Sequence, residues 1–171
     1  LDNVSFTARS GEVLAFLGEN GAGKSTLLKI LNGDYPPTSG QYLIDGEEMH
    51  FRNPQEAIEA GISVIYQERQ ILMELSVAEN IYLGRMPVNA LGVISSRRAN
   101  VMAEKIIADF GLPIKPTDKV KDLSVAYQQM VEIMKAYRRD SRIIAFDEPT
   151  APLTDSEIKI LFQVIRQLKE R

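Results

Sequence analysis

The stretch GENGAGKST, Gly18 to Thr26, constrains this chain more than any other. It matches the spacing Gly-x-x-x-x-Gly-Lys-Ser at Gly18, Gly23, Lys24 and Ser25. A polyphosphate needs many hydrogen-bond donors at close range. Gly18, Gly21 and Gly23 let the backbone curl so that successive N–H groups converge, with Glu19, Asn20, Ala22 and Thr26 completing the loop. The helix that follows adds its positive N-terminus. Lys24 is placed to reach the β- and γ-phosphates, and Ser25 to hold Mg²⁺. The plainer reading is a glycine-rich turn before a helix. The phosphate reading is preferred because an apolar run, EVLAFLG, precedes the loop and an apolar-patterned helix, Lys24 to Asn32, follows it.

The rest of the chain reads as alternating strands and helices with one interruption. Val4, Phe6 and Ala8 alternate with polar residues, and Ser10-Gly11 turns the chain into EVLAFLG, so a hairpin is expected there. Gly33 is a helix stop, QYLID is a strand, and Asp45-Gly46 is a turn. Asn53-Pro54 starts a short helix ending near Gly61, and ISVIYQ follows as a buried strand. Between Glu68 and Arg139 no strong strand pattern occurs. Ser96 is expected to cap a helix reaching Gly111, and Met130, Ile133, Met134 and Tyr137 share one helical face. RIIAFD returns as a buried strand. Thr154 and Glu157 form a capping box for a last helix, with Ile158, Leu161, Ile165 and Leu168 in one stripe. The pattern is an α/β core, residues 1–67 and 141–171, with a helical block at 68–140.

A second candidate site lies at Asp147 and Glu148, where the strand RIIAFD ends. An acidic residue at a strand tip beside a phosphate loop holds Mg²⁺ through water, which suits Asp147. Glu148 is placed to orient or deprotonate an attacking water. The competing reading is a solvated acidic pair opening a turn at Pro149. Composition narrows the chemistry further. The chain has no Cys and a single histidine, His50, expected at the surface, which disfavours thiolate and zinc chemistry. Its net charge is −3 with scattered Lys and Arg, so no nucleic-acid partner is expected.

Two more features complete an ordered set. Gln67 ends the strand SVIYQ, and LSVAYQ, from Leu123 through Ser124, Val125, Ala126 and Tyr127 to Gln128, precedes Asp147. Phosphate loop, Gln, LSxxx-Q, then a strand ending in Asp-Glu: this order resembles the ATPase subunit of ABC transporters. GENGAGKSTLLKIL, SVAENIYLGR, LSVAYQQMVEI and DEPTAPLT look like the first cassette of ribose-, xylose- and galactose-type importers. The resemblance implies a P-loop NTPase (RecA-like) α/β fold with an antiparallel β subdomain and a helical insertion. It implies ATP and Mg²⁺ as ligands, with Lys24, Gln67 and Glu148 catalytic and Ser25, Gln67 and Asp147 around the metal. Residues 123–128 would act in trans on a second cassette, as a homodimer or fused tandem. Ser124, which alone reads as a helix cap, would then face the partner's γ-phosphate. An integral membrane permease subunit is expected as partner near Glu68–Glu74, with a periplasmic or extracellular substrate-binding protein acting indirectly. The expected place is the cytoplasmic face of the membrane, peripherally.

Several departures from the family pattern stand out. Ala126 and Tyr127 occupy positions where Gly and Gln are commoner. An adenine-stacking aromatic is expected upstream of Leu1 and a switch His downstream of Glu148, so the chain is expected to be a cassette truncated at both ends. Weak nucleotide binding, little turnover and an exposed Ile158–Leu168 stripe are expected with it. The absence of an Asn-Lys-x-Asp motif disfavours a GTPase. Nucleoside importers and soluble, non-transport ABC-type ATPases remain as alternatives. Roughly 100 residues between Lys24 and Ser124 leave no room for the long coiled coil of a DNA-repair type.

Overall fold

The computed structural model describes residues 1, 3–68 and 70–170. The phosphate loop leads into α1 (Lys24–Leu31). Asn32 is its C-cap, and Gly33 follows at φ +75°. The Asp34 N–H returns to the Lys29 carbonyl at 2.9 Å and the Gly33 N–H to Ile30 at 3.1 Å, a Schellman closure. A Cβ on Gly33 would lie 2.8 Å from Phe51 Cβ, so this turn also sets how closely α1 meets the next segment. There β1 (Leu43–Ile44) and β2 (Glu47–Glu48) form a two-residue antiparallel ladder. Asp45 and Gly46, at φ +52° and +83°, make the turn between them.

Asn53 caps α2 (Pro54–Glu59) by accepting the Glu56 N–H at 3.1 Å, with Pro54 at the first helical position. β3 (Ile62–Ile65) follows and pairs in parallel with β4 (Ile143–Phe146), Ile62 opposite Ile143 and Ile65 opposite Phe146. The connection between these two strands is the helical block. It contains α3 (Val77–Ile81), α4 (Ser96–Asp109), a 3₁₀ turn at Val120–Asp122 and α5 (Val125–Arg138). Ser95 rather than Ser96 caps α4, accepting the Arg98 N–H at 3.3 Å. After β4 comes α6 (Asp155–Lys169), opened by the expected Thr154–Glu157 capping box.

The main apolar core lies in the helical block. Val77, Ala78 and Ile81 of α3, Ala103 and Ile107 of α4, and Met130, Ile133 and Met134 of α5 are its centre. It reaches Ile65 of β3 and Leu161 and Val164 of α6. A smaller cluster joins Ile44, Ala57 and Ile62. Met130, Ile133 and Met134 show no exposure, as their helical spacing predicts.

Three expectations are corrected. The 4–18 hairpin has its turn, with the Glu12 N–H bonded to Arg9 at 3.0 Å, but no ladder among the described residues. Phe6 and Phe16 meet edge to face at 4.8 Å, yet residues 3–22 are all exposed. Two arms without a covering layer have no buried face to fix a register. The loop is therefore entered from an extended, exposed segment. Second, β4 is half-buried along its length rather than buried; among the described residues it pairs with β3 alone. Third, the α6 stripe is covered over most of its length: Leu161 is fully buried and Ile165 and Leu168 pack on the main core, while Ile158 is half-buried outside that cluster and Phe162 is exposed. No helix among the described residues is long and apolar enough to cross a membrane.

Candidate functional site

The loop from Gly18 to Gly23 is wound by its glycines and held by one cation. Gly21 and Gly23 have φ +86° and +97°, a region that side chains rarely adopt. A Cβ on Gly18 would lie 3.1 Å from Ala22 Cβ, and the space at Gly21 is open. The Lys24 ammonium folds back and donates to the Gly18 carbonyl at 2.8 Å and the Glu19 carbonyl at 3.1 Å. A positive charge thus sits inside the curl that the backbone makes. The concavity, the glycine-walled floor and this cation fit a polyphosphate.

β3 and β4, paired in register, bring the second half of the site alongside. Asp147 follows β4 directly, its N–H bonded to the Ile65 carbonyl at 2.9 Å. Its Oδ1 accepts from Ser25 Oγ at 3.3 Å, across 122 residues of sequence. A hydroxyl and a carboxylate in contact are the oxygen donors that Mg²⁺ takes. Glu148 Oε1 lies 4.0 Å from Lys24 Nζ. Its backbone is left-handed, φ +47°, a conformation costly for a glutamate.

Gln67 stands just beyond the end of β3. It borders a cleft of about 310 Å³, open mouth included, with Tyr66, Val125, Gln129, Glu132, Asp147 and Glu148. Tyr66 is fixed by a 2.5 Å hydrogen bond from its hydroxyl to Asp34, which also accepts from Asn32 at 2.8 Å. Burial first, and then the Asp34 carboxylate, pushes the Tyr66 phenol well up. The segment after Gln67 is tied to α5, because Glu132 accepts the Gln70 N–H and Lys135 donates to the Gln70 carbonyl.

The structure therefore brings together Lys24, Ser25, Asp147, Glu148 and Gln67. Glu19, Asn20, Gly21, Ala22 and Thr26 are exposed on the loop and the start of α1. Of the segment 123–128, Val125 alone borders the cleft. Ala126 is buried at 1% exposure, and Tyr127 packs on the main core. Gln128 donates to the Val120 and Leu123 carbonyls, both at 3.1 Å, and so braces the turn into α5. Ser124 occupies the N-cap position, but its side chain makes no cap bond. Its hydroxyl instead donates to Glu157 Oε1 at 3.1 Å. Glu157 Oε2 accepts from the Thr154 N–H at 3.0 Å and hydroxyl at 2.9 Å. The Thr154 N–H, then its hydroxyl, and Ser124 after them hold the Glu157 carboxyl below the usual range. His50 is exposed, 3.6 Å from Glu48. Arg69, inside the segment expected to face a membrane subunit, lies outside the described residues, as does Arg171, the last residue of the expected core.

Sequence reading missed Asp34, Tyr66 and Glu132, and gave Glu157 only as a capping residue. Glu132 carried a visible signal, a lone carboxylate inside Met-Val-Glu-Ile-Met. Comparison with known proteins sharpens the meaning of this geometry. The family profile described as ABC transporter matches residues 1–151. The chain is 47% identical over 169 residues to the arabinose import ATP-binding protein AraG of Yersinia pestis, covering 99% of this chain and 32% of that protein. It is 49% identical over 172 residues to the ribose import ATP-binding protein RbsA of Shouchella clausii, covering 100% and 34%. The chain thus spans about a third of the length of these relatives. Among solved structures it resembles an ATP-binding cassette of an ABC transporter in its ADP conformation, at TM-score 0.82 and 29% identity over 98% of this chain and 69% of that one. It also resembles a dimeric ATP-binding cassette bound to ADP and Pi, at TM-score 0.77 and 25% identity over 98% and 74%.

Proposed function

The chain belongs to the ABC transporter family, and from that premise we propose that it binds and hydrolyses ATP to energise uptake of a monosaccharide. The observation that carries this reading is the Lys24 ammonium held inside the loop curl, 4.0 Å from Glu148, with Ser25 touching Asp147 alongside. On ATP binding Lys24 exchanges two carbonyl partners for phosphate oxygens, and the loop N–H groups of 19–26 surround the same phosphates. Ser25 and Asp147, with Gln67 at the cleft edge, would hold Mg²⁺, whose charge offsets that of the phosphates. Glu148 orients and deprotonates the attacking water. Residues 1–67 and 141–171 form the nucleotide core, and 68–140 the helical part.

Ser124 and the start of α5 serve a second cassette in trans, supplied by a homodimer or a fused tandem. The likeness to a dimeric cassette bound to ADP and Pi supports this part. An integral membrane permease and, through it, a substrate-binding protein complete the assembly at the cytoplasmic membrane face. Arabinose and ribose head the substrate list because the named relatives import them.

Calorimetry with MgATP tests the core of the reading. Two charge-assisted bonds to phosphate contribute about 4–6 kcal/mol, and about 3 kcal/mol is returned when the Gly18 and Glu19 carbonyls lose their cation. Lys24→Met keeps the apolar stem and should weaken binding by about 2 kcal/mol, roughly 30-fold in Kd. An unchanged Kd removes Lys24 from the site. ATP-driven uptake of arabinose and ribose by proteoliposomes holding the full assembly, with a nucleoside as competitor, tests the substrate class.

A further inference from the structure

Gln70 is held at both of its backbone polar groups by one helix. Glu132 Oε1 accepts the Gln70 N–H, and Lys135 Nζ donates to the Gln70 carbonyl at 3.3 Å. The two side chains are three residues apart on α5, so they leave the helix on one face. The acid takes the donor and the base takes the acceptor. Neither could exchange roles, so the pairing fixes the direction of the chain as well as its position.

This grip places a charge where solvent barely reaches it. Glu132 is 7% exposed and stands between Met130, Val131, Ile133 and Met134, none of which has any exposure. A carboxylate there is tolerated only with specific hydrogen bonds. Lys135 is itself held below its usual range, by burial first and by Arg139 next, while Glu132 pulls it back up. A helix designed only to pack would carry an apolar residue at 132.

What the grip controls lies three residues upstream. Gln67 borders the cleft shared by Asp147 and Glu148. Gln129, one turn before Glu132, borders the same cleft with its Oε1 buried and without a hydrogen-bond partner among the described residues. The same α5 begins directly after Ser124. We propose that Glu132 and Lys135 are positioning residues for ATP hydrolysis: by holding the Gln70 backbone they make Gln67 move with α5, and hence with Ser124. This rests on the ATPase reading above. Both act through the Gln70 backbone, and Glu132 also borders the cleft.

The test is steady-state phosphate release by the full-length protein with MgATP, alongside its melting temperature. The variants are Glu132→Ala, Glu132→Gln, Lys135→Met, Gln67→Ala and the Glu132→Ala/Gln67→Ala double. Glu132→Ala should lower kcat roughly tenfold or more, the scale of a misplaced group, with KM for ATP within about twofold. Glu132→Gln keeps an oxygen that accepts from Gln70 and should recover most of kcat. Lys135→Met should fall between them. In the Gln67→Ala background Glu132→Ala should add nothing further, because both act through one side chain. Additive losses, equal loss in Glu132→Gln and Glu132→Ala, or a normal kcat in Glu132→Ala overturn the proposal. If Gln67→Ala itself leaves turnover unchanged, the role of Gln67 in hydrolysis fails, and the positioning proposal with it.

Discussion

Glu148 offers a test that needs no nucleotide. Its φ of +47° places an L-residue in the left-handed region. That conformation costs a residue with a Cβ about 1–2 kcal/mol. Glycine escapes the cost but makes the unfolded chain looser by about 0.4–1 kcal/mol. The difference leaves Glu148→Gly more stable than Glu148→Ala by about 0.5–1 kcal/mol. Both variants remove the carboxylate, so its 4.0 Å approach to Lys24 drops out of the comparison. In urea, with a slope of about 2 kcal/mol per molar, the midpoints should differ by about 0.4 M. Parallel urea melts at matched concentration measure it, and both variants should lose hydrolysis. An alanine variant as stable as the glycine one refutes the reasoning, since the strain would then be absent. The glutamate held in this costly conformation is the one proposed to orient water, where strain commonly accompanies function.

Two further outcomes follow from buried and capping polar groups. Asn80 is 1% exposed and accepts the Leu72 N–H at 2.7 Å while donating to the Leu72 and Ser76 carbonyls at 2.9 and 3.0 Å; Asn80→Leu strands these groups and should cost about 2–4 kcal/mol in urea melts, against no loss if water replaces the amide. Glu79 caps α3 from within its own first turn, and the Ser76 N–H, then its hydroxyl, holds the carboxyl below its ordinary 4.5. A depressed folded value means stability that is fully present above pH 4.5 and lost as the pH falls through the lower folded value. Glu79→Gln should therefore flatten the acid limb of a stability–pH curve; superimposable limbs would remove Glu79 as its cause.

Local signals were legible where the cause is local. Asn53-Pro54 starts α2, Thr154 and Glu157 box α6, and the spacing of Met130, Ile133 and Met134 buries one face of α5. The Ser76-x-x-Glu79 box that opens α3 is equally visible in the sequence. Pairings across the chain were not legible. Ser124 reads as a cap, but its hydroxyl goes to Glu157, 33 positions on, because the α5–α6 packing brings a stronger acceptor within reach. Alternation at Val4, Phe6 and Ala8 predicts a strand, yet a ladder needs a neighbour and a covered face, and neither is encoded in the alternation. The ATPase motifs were legible because their order along the chain is itself the signal. The grip on Gln70 was not, because a backbone partner leaves no trace in side-chain spelling.

Burial is distributed unevenly: residues 3–22 are exposed, while α3, α4 and α5 enclose the main core. Opening of the backbone should therefore begin at the phosphate loop and reach α5 last, so that amide exchange maps a gradient rather than one cooperative unit. On the proposed ATPase reading, ATP would be more than a substrate for hydrolysis. At a hundredfold excess over its Kd a ligand that binds only the closed loop adds about 2.7 kcal/mol to that loop's closure. On the proposed reading the loop would gain order from the nucleotide and give it up when product leaves.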